Sequence, residues 1–302
     1  GDDIGIEDII WMGNLPKLKD RALSVGVRKI APRANFEGTV RKALAAGRTV
    51  HYLPPYRPDN KIALSELLGI PVKDLKAKAS AAFVKASVDQ RLLKSKEEIR
   101  EIESAVAVSR EMYLAAMRLA KPGYYEYQIS GTMEGIALAN GMHLAFPPIV
   151  TVNGQTLHMH EHGNPLVKGR LLVLDCGAEA PSGYASDITR SVPVGGKFNA
   201  RQKAVYEIVL AGQESAIKAI KPGVNYRDIH LQTARIMTDG LKDLGLMKGD
   251  TAEAVAAGAH ALFFPHGLGH NLGLDVHDME DYGENHVGYG EKVERSAQFG
   301  LA

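Results

Sequence analysis

The sequence predicts an α+β protein whose larger part is built from two similar halves, preceded by a smaller α/β segment. Three observations predict it. A helix–KPG–helix–β order occurs twice, with the KPG at 121–123 and again at 221–223, an offset of 100 residues that marks an internal duplication. Between the copies, two β-rich runs flank Pro181-Ser182-Gly183, a turn signal. Residues 1–88 alternate short helical and β-like pieces, so the domain boundaries are expected at 1–88 and 89–302.

In the first segment "RKIAP" and "RTVHYLPPY" read as strands, and "FEGTVRKALAAG" and "NKIALSELLG" as helices that stop at glycine. "LPPYRPDN" reads as a rigid polar connection. The long helix after residue 94 is expected to start at Ser95, whose side chain and Glu98 form a capping box, and to stop at Lys121-Pro122-Gly123. Residues 200–223 repeat this helix and its stop. Each KPG leads to a second helix, "YYEYQISGTMEGIALANG" and "VNYRDIHLQTARIMTDGLKDLG". Each second helix leads to a β-like stretch carrying histidine, "PPIVTVNGQTLHMHEH" and "FFPHGLGHNLGLDVH". Two such copies predict pseudo-symmetric halves that share one sheet, with a site between them.

Composition excludes several classes. With 36 basic and 35 acidic side chains the net charge is +1, which leaves no electrostatic footprint for nucleic acid or an anionic membrane. No apolar run approaches the ~18 residues of a transmembrane helix. The lone Cys176 rules out an internal disulfide framework and fits a reducing compartment. The amino terminus lacks a signal-peptide pattern, so the cytoplasm is the default expectation.

The chemistry-bearing residues fall in two places. Asp175 and Asp187 each lie six residues from Pro181, so a regular hairpin centred there sets them opposite each other, with Cβ atoms roughly 5 Å apart. Like charges so placed weaken a sheet unless a cation neutralises both. The second place is "FPHGLGHNLGLDVHD", which holds His266, His270 and His277. Two glycines in "HGLGH" argue against a helix and against an HExxH site. Two carboxylates with an imidazole suit Mn²⁺, Co²⁺, Zn²⁺ or Fe²⁺ better than a structural thiolate site. His158, His160 and His162 alternate along one presumed strand, a pattern that would also suit a separate metal site. His51, His143, His230, His260 and His286 read as core or surface residues.

"DCGAE…GYASDITRSVPV" followed by "HGLGHNLGLDVHD" resembles the M24 metallopeptidases of pita-bread fold, in their Xaa-Pro aminopeptidase and Xaa-Pro dipeptidase (prolidase) branch. Residues 1–88 more weakly resemble part of that family's creatinase-like amino-terminal domain. The resemblance implies two divalent metal ions and hydrolysis of Xaa-Pro bonds at peptide amino termini by a homodimer. It implies that Asp175 binds one metal, that Asp187 bridges both, and that His270 binds the second. It further implies that His158 lines the substrate pocket, that His277 contacts the substrate and the tetrahedral intermediate, and that His266 supports the centre. Creatinase shares the fold but does not need the carboxylates, and methionyl aminopeptidase typically lacks a domain like 1–88.

By the internal repeat, a second hairpin should follow the histidine block, and in the family it carries two glutamate ligands. Residues 283–302 read instead as a loop, and Glu284, Glu291 and Glu294 have no strand context to make them ligands. The chain therefore reads as an internal piece of a longer protein, with three of five expected ligands. The alternative expectation is a non-catalytic relative or fragment that binds peptide or a partner protein.

Overall fold

The structure is a computed structural model and describes residues 2–287, 296 and 299. Glu291 and Glu294 lie outside the described residues. The chain divides into two compact units, Gly1–Ser87 and Val88–Ala302.

The first unit holds α1 (Ile6–Met12), α2 (Leu18–Ser24), α3 (Ala34–Ala45), α4 (Pro58–Leu68) and the start of α5 (Ala81–Leu92). The glycine stops act as expected: α4 ends at Gly69 in the left-handed conformation, whose N–H bonds Ser65 O. The strands expected at 28–32 and 48–56 do not form. A strand needs a second backbone to satisfy its amides, and no described segment of this unit supplies one. Tyr52, Leu75 and Val84 are among its buried apolar side chains, and Tyr52 Oη donates to Leu75 O.

The second unit opens with α6 (Lys96–Leu119), capped as predicted: Glu98 N–H donates to Ser95 Oγ at 3.3 Å and Ser95 N–H to Glu98 at 2.6 Å. Then follow α7 (Glu126–Ala139), β1 (His143–Leu144), β2 (Ile149–Thr151), β3 (Leu171–Cys176), β4 (Ala178–Glu179) and β5 (Ile188–Pro193). The repeat returns as α8 (Ala200–Ala219), α9 (Tyr226–Asp243) and the short α10 (Thr251–Ala256). Strands β2, β3 and β5 form an antiparallel sheet in that order, and β1 pairs with β4. Along β3 burial alternates, so Leu172, Leu174 and Cys176 join Met112, Ala116, Ile129 and Met133 in the core, while Asp175 sits on the opposite face.

The second half departs from expectation. Its helices pack with a small core of Ala234, Met237, Val255 and Phe264, but residues 263–287 form no strand. The sheet described here comes from the first half alone. The histidine block folds on itself instead, with Gly273 N–H bonded to Asp275 O and Asp278 N–H to Asn271 O. It docks on the hairpin through Ala185 N–H to Gly273 O at 2.9 Å. The segment 154–158 is likewise a turn, so His158, His160 and His162 do not share a strand face.

Register within the hairpin also differs. Asp175 pairs with Thr189 and Cys176 with Ile188, which centres the hairpin on Ser182 rather than Pro181. Gly183 supplies a positive φ of 87° at the tip, and its N–H bonds Ala180 O. Moving the centre by one residue moves the partner by two, so Asp187 lies diagonal to Asp175 but on the same face. Gly177 is what Asp187 passes, and a Cβ there would lie 1.7 Å from Ser186 O.

Gly177→Ala is therefore expected to lower the unfolding free energy by about 3 kcal/mol, since the obstruction is backbone that cannot rotate away. Gly135→Ala, on an open face of α7, should instead raise it by about 0.5–1 kcal/mol. Urea unfolding of both variants checks the pair.

Candidate metal centre

The hairpin and the histidine block meet at one contact. His270 Nε2 lies 3.0 Å from Asp187 Oδ2, and both side chains are 22% exposed. On its other side, His270 Nδ1 lies 2.9 Å from Asn271 O. A carbonyl oxygen can only accept, so Nδ1 carries the hydrogen. In neutral imidazole Nε2 is then a bare lone pair facing a carboxylate. Two acceptors at that distance repel unless a proton or a cation stands between them. Burial pulls the His270 pKa down, but the bond to Asp187, the bond to Asn271 and the Asp187 charge outweigh it, and the net direction is up.

Asp175 completes the face. Its Oδ1 accepts from Thr189 Oγ1 at 3.0 Å. Burial pushes its pKa up, the Thr189 bond opposes this, and the neighbouring Asp187 charge pushes it up again. His158 and His270 both exert an opposing electrostatic pull on Asp175, so His158 is near enough to be felt. His277 stacks on His270 with ring centroids 3.8 Å apart and planes 12° from parallel, and its Nδ1 lies 2.7 Å from Glu280. His266 turns to Gly267 O and packs edge-on against Phe264, contributing no hydrogen bond to the Asp187–His270 pair. His160 stacks on His158, His162 bonds Pro148 O, and the three do not converge. Glu284 lies in a 3₁₀ turn and His230 and His260 are buried beside each other. Among the described residues, no group of three or more His, Cys, Asp or Glu side chains is gathered closely enough to hold a metal by itself.

Several residues that hold this arrangement escaped the motif reading. Asp278, 1% exposed, accepts from Lys94 at 3.0 Å and from Arg91. Arg91 also reaches Asp275 and Tyr282 Oη, each at 3.0 Å. These two cations fasten the histidine block to the segment that precedes α6. Gly273 leaves room for them, since a Cβ there would lie 2.4 Å from Asp278 Oδ2. Met279, immediately after Asp278, has φ 69° and is buried. An unbranched side chain can be held in that conformation when its surroundings over-determine it. The available signal was the charge pair in "RLLKS" just ahead of the capping box.

Because the His270 pKa is raised above 6.5, the proton shared with Asp187 stabilises the metal-free chain fully below that value and is lost as pH climbs through the raised one. Asp175 acts in the same sense at lower pH, above its ordinary 3.8. Thermal unfolding in EDTA should show Tm falling as pH rises above about 6.5, and His270→Ala should flatten that slope.

Comparison with known proteins fits this geometry. Residues 100–298 match metallopeptidase family M24. The Xaa-Pro aminopeptidase of Escherichia coli is 38% identical over 202 residues, which are 65% of this chain and 45% of that protein. A probable Xaa-Pro aminopeptidase of Chaetomium globosum is 32% identical over 275 residues, 90% of this chain and 45% of that protein. The chain thus spans about half the length of the curated relatives it matches. Among solved structures, proline aminopeptidase P II of Yersinia pestis superposes with TM-score 0.80 at 31% identity, covering 94% of this chain and 67% of that one. Zinc-substituted E. coli aminopeptidase P in complex with product superposes with TM-score 0.79 at 30% identity, covering 95% and 67%. The mixed α/β architecture is that of the pita-bread fold, and the chain belongs to metallopeptidase family M24.

Proposed function

We propose that the protein is a metal-dependent aminopeptidase that hydrolyses Xaa-Pro bonds at peptide amino termini. The observation that carries this reading is the His270–Asp187 contact, with the imidazole tautomer pinned by Asn271 O. With Nδ1 bonded to Asn271 O, the Nε2 lone pair faces the Asp187 carboxylate at 3.0 Å, so the contact would suit a cation between them. Asp175 adds a second carboxylate on the same face, and the three side chains would have to draw closer together around an ion. Asp175, Asp187 and His270 would hold divalent metal, with Mn²⁺ favoured by the oxygen-rich set and Co²⁺, Zn²⁺ or Fe²⁺ also compatible. Bound there, metal supplies Lewis-acid polarisation of the scissile carbonyl and an activated water.

The other side chains act on the peptide. Glu280 accepts from His277 Nδ1, so in protonated His277 the Nε2–H is the free donor, suited to an oxyanion developing on the carbonyl. His158 lies on a turn near Asp175 and would contact the bound peptide. His266 would support the centre through its side-chain bond to Gly267 O. The reading extends to a homodimer, and to the cytoplasm, where the buried thiol of Cys176 stays reduced. No described helix is long and apolar enough to cross a membrane. Residues 1–88 would act as an amino-terminal domain that precedes the peptidase domain 89–302 in sequence.

Protein spanning the full length of these relatives, supplied with Mn²⁺, should release the amino-terminal residue from an Xaa-Pro-Xaa peptide, and EDTA should abolish this. Asp187→Asn and His270→Ala should each lower kcat/KM at least about 100-fold, more than loss of an outer hydrogen bond would. Peptide binding and metal uptake without cleavage would contradict the proposal and identify a peptide-binding relative instead.

A further inference from the structure

Glu126 is the first residue of α7 and is 0% exposed, yet among the described residues no cation is paired with it. Its carboxylate is instead filled by four donors. Oε1 accepts from Thr151 Oγ1 at 3.0 Å and Val152 N–H at 2.7 Å. Oε2 accepts from Asn164 N–H at 3.0 Å and Asn164 Nδ2 at 2.9 Å. The adjoining backbone repeats the grip, with Glu126 N–H bonded to Asn164 O and Tyr127 N–H to His162 O. These partners are the two ends of a single excursion, residues 152–164, that leaves β2 and returns ahead of β3. His158 lies at its middle, in a turn, exposed, with its neighbour His160 as its ring contact.

We propose that Glu126 is a positioning residue for His158: one buried carboxylate closes the base of the 152–164 excursion and so sets where its histidine stands. The proposal rests on the reading that His158 meets the peptide. The base is tied to the centre by register, because Ile149 pairs with Asp175 and Thr151 with Val173. Fixing Thr151 and Val152 therefore fixes the excursion relative to the strand that carries Asp175. Chemistry narrows the residue type. All four partners donate, and only a carboxylate offers acceptors on both branches; a glutamine would turn an N–H toward an N–H. The start of α7 adds favourable helix-end dipoles for a negative charge. The equivalent position in the second copy, Tyr226, also meets a histidine-bearing segment: a Cβ on Gly269 would lie 2.5 Å from its hydroxyl.

The test compares the wild-type chain with Glu126→Gln and, should that variant not fold, with Asn164→Ala, which removes one donor side chain. Hydrogen exchange by mass spectrometry should rise about tenfold or more across 152–164, the effect of losing a charged hydrogen bond, and stay unchanged across β3 and β5. The His158 imidazole resonance should move to that of a freely rotating histidine. With Mn²⁺ and an Xaa-Pro-Xaa peptide, Glu126→Gln should lower kcat/KM, and Glu126→Gln/His158→Ala should be no worse than His158→Ala alone. Unchanged exchange, an unmoved His158 resonance, or additive losses would each overturn the proposal. Failure of the wild type to turn over peptide would overturn the functional reading instead, while exchange and resonance still decide the role of Glu126.

Discussion

Everything at the candidate centre depends on the pairing register of β3 and β5. Side chains on a strand alternate faces, so a slip of one residue would turn Asp187 into the core and leave Asp175 alone. Two features prevent it. Gly177 lets Ser186 pass at a separation that no Cβ allows. Ser186 then enters a buried cluster in which Ser109 and Ser186 hydroxyls lie 2.8 Å apart and both contact Ala178 N–H. From the helix side, Tyr113 Oη accepts from Cys176 N–H and donates to Ile188 O, stitching the two strands at one register position. Locked this way, two carboxylates share a face despite their repulsion.

The histidine block has no ladder to hold it, so it uses charge. Asp278 is almost fully buried between Arg91 and Lys94, and such a network adds little net stability but strongly disfavours conformations that leave one member unpaired. That is the property a loop needs when its job is to deliver imidazoles to fixed places. His277 precedes Asp278 directly, and His270 is joined to it through the Asn271–Asp278 backbone bond. Glu126 does for the segment around His158 what Asp278 does for this one. In both cases a buried carboxylate lies outside the face that would bind metal and organises a backbone that has no regular structure.

Features written in local sequence were legible. The Ser95–Glu98 capping box, the glycine stop at Gly69 and the duplicated KPG all depend on residues within a turn or two, and all appear. The same-face placement of Asp175 and Asp187 survived an error in the hairpin centre because the error changed the partner by two and so conserved parity. Strands expected at 28–32, 48–56 and through the histidine block failed for one reason. Alternating or apolar patterns report side-chain preference, whereas a strand exists only where another backbone accepts its amides. Glu126 and Asp278 were illegible because a carboxylate reads as exposed by default. Their partners lie 25 to 38 residues away for Glu126 and 184 to 187 for Asp278.

His270 and the Asp175–Asp187 face together would hold divalent metal. Pulsed electron paramagnetic resonance of the Mn²⁺-loaded chain tests it directly, because ¹⁴N modulation reports imidazole bound to the ion. Nitrogen coupling from one histidine is expected, lost in His270→Ala and retained in His266→Ala. Coupling that persists without His270 would contradict it.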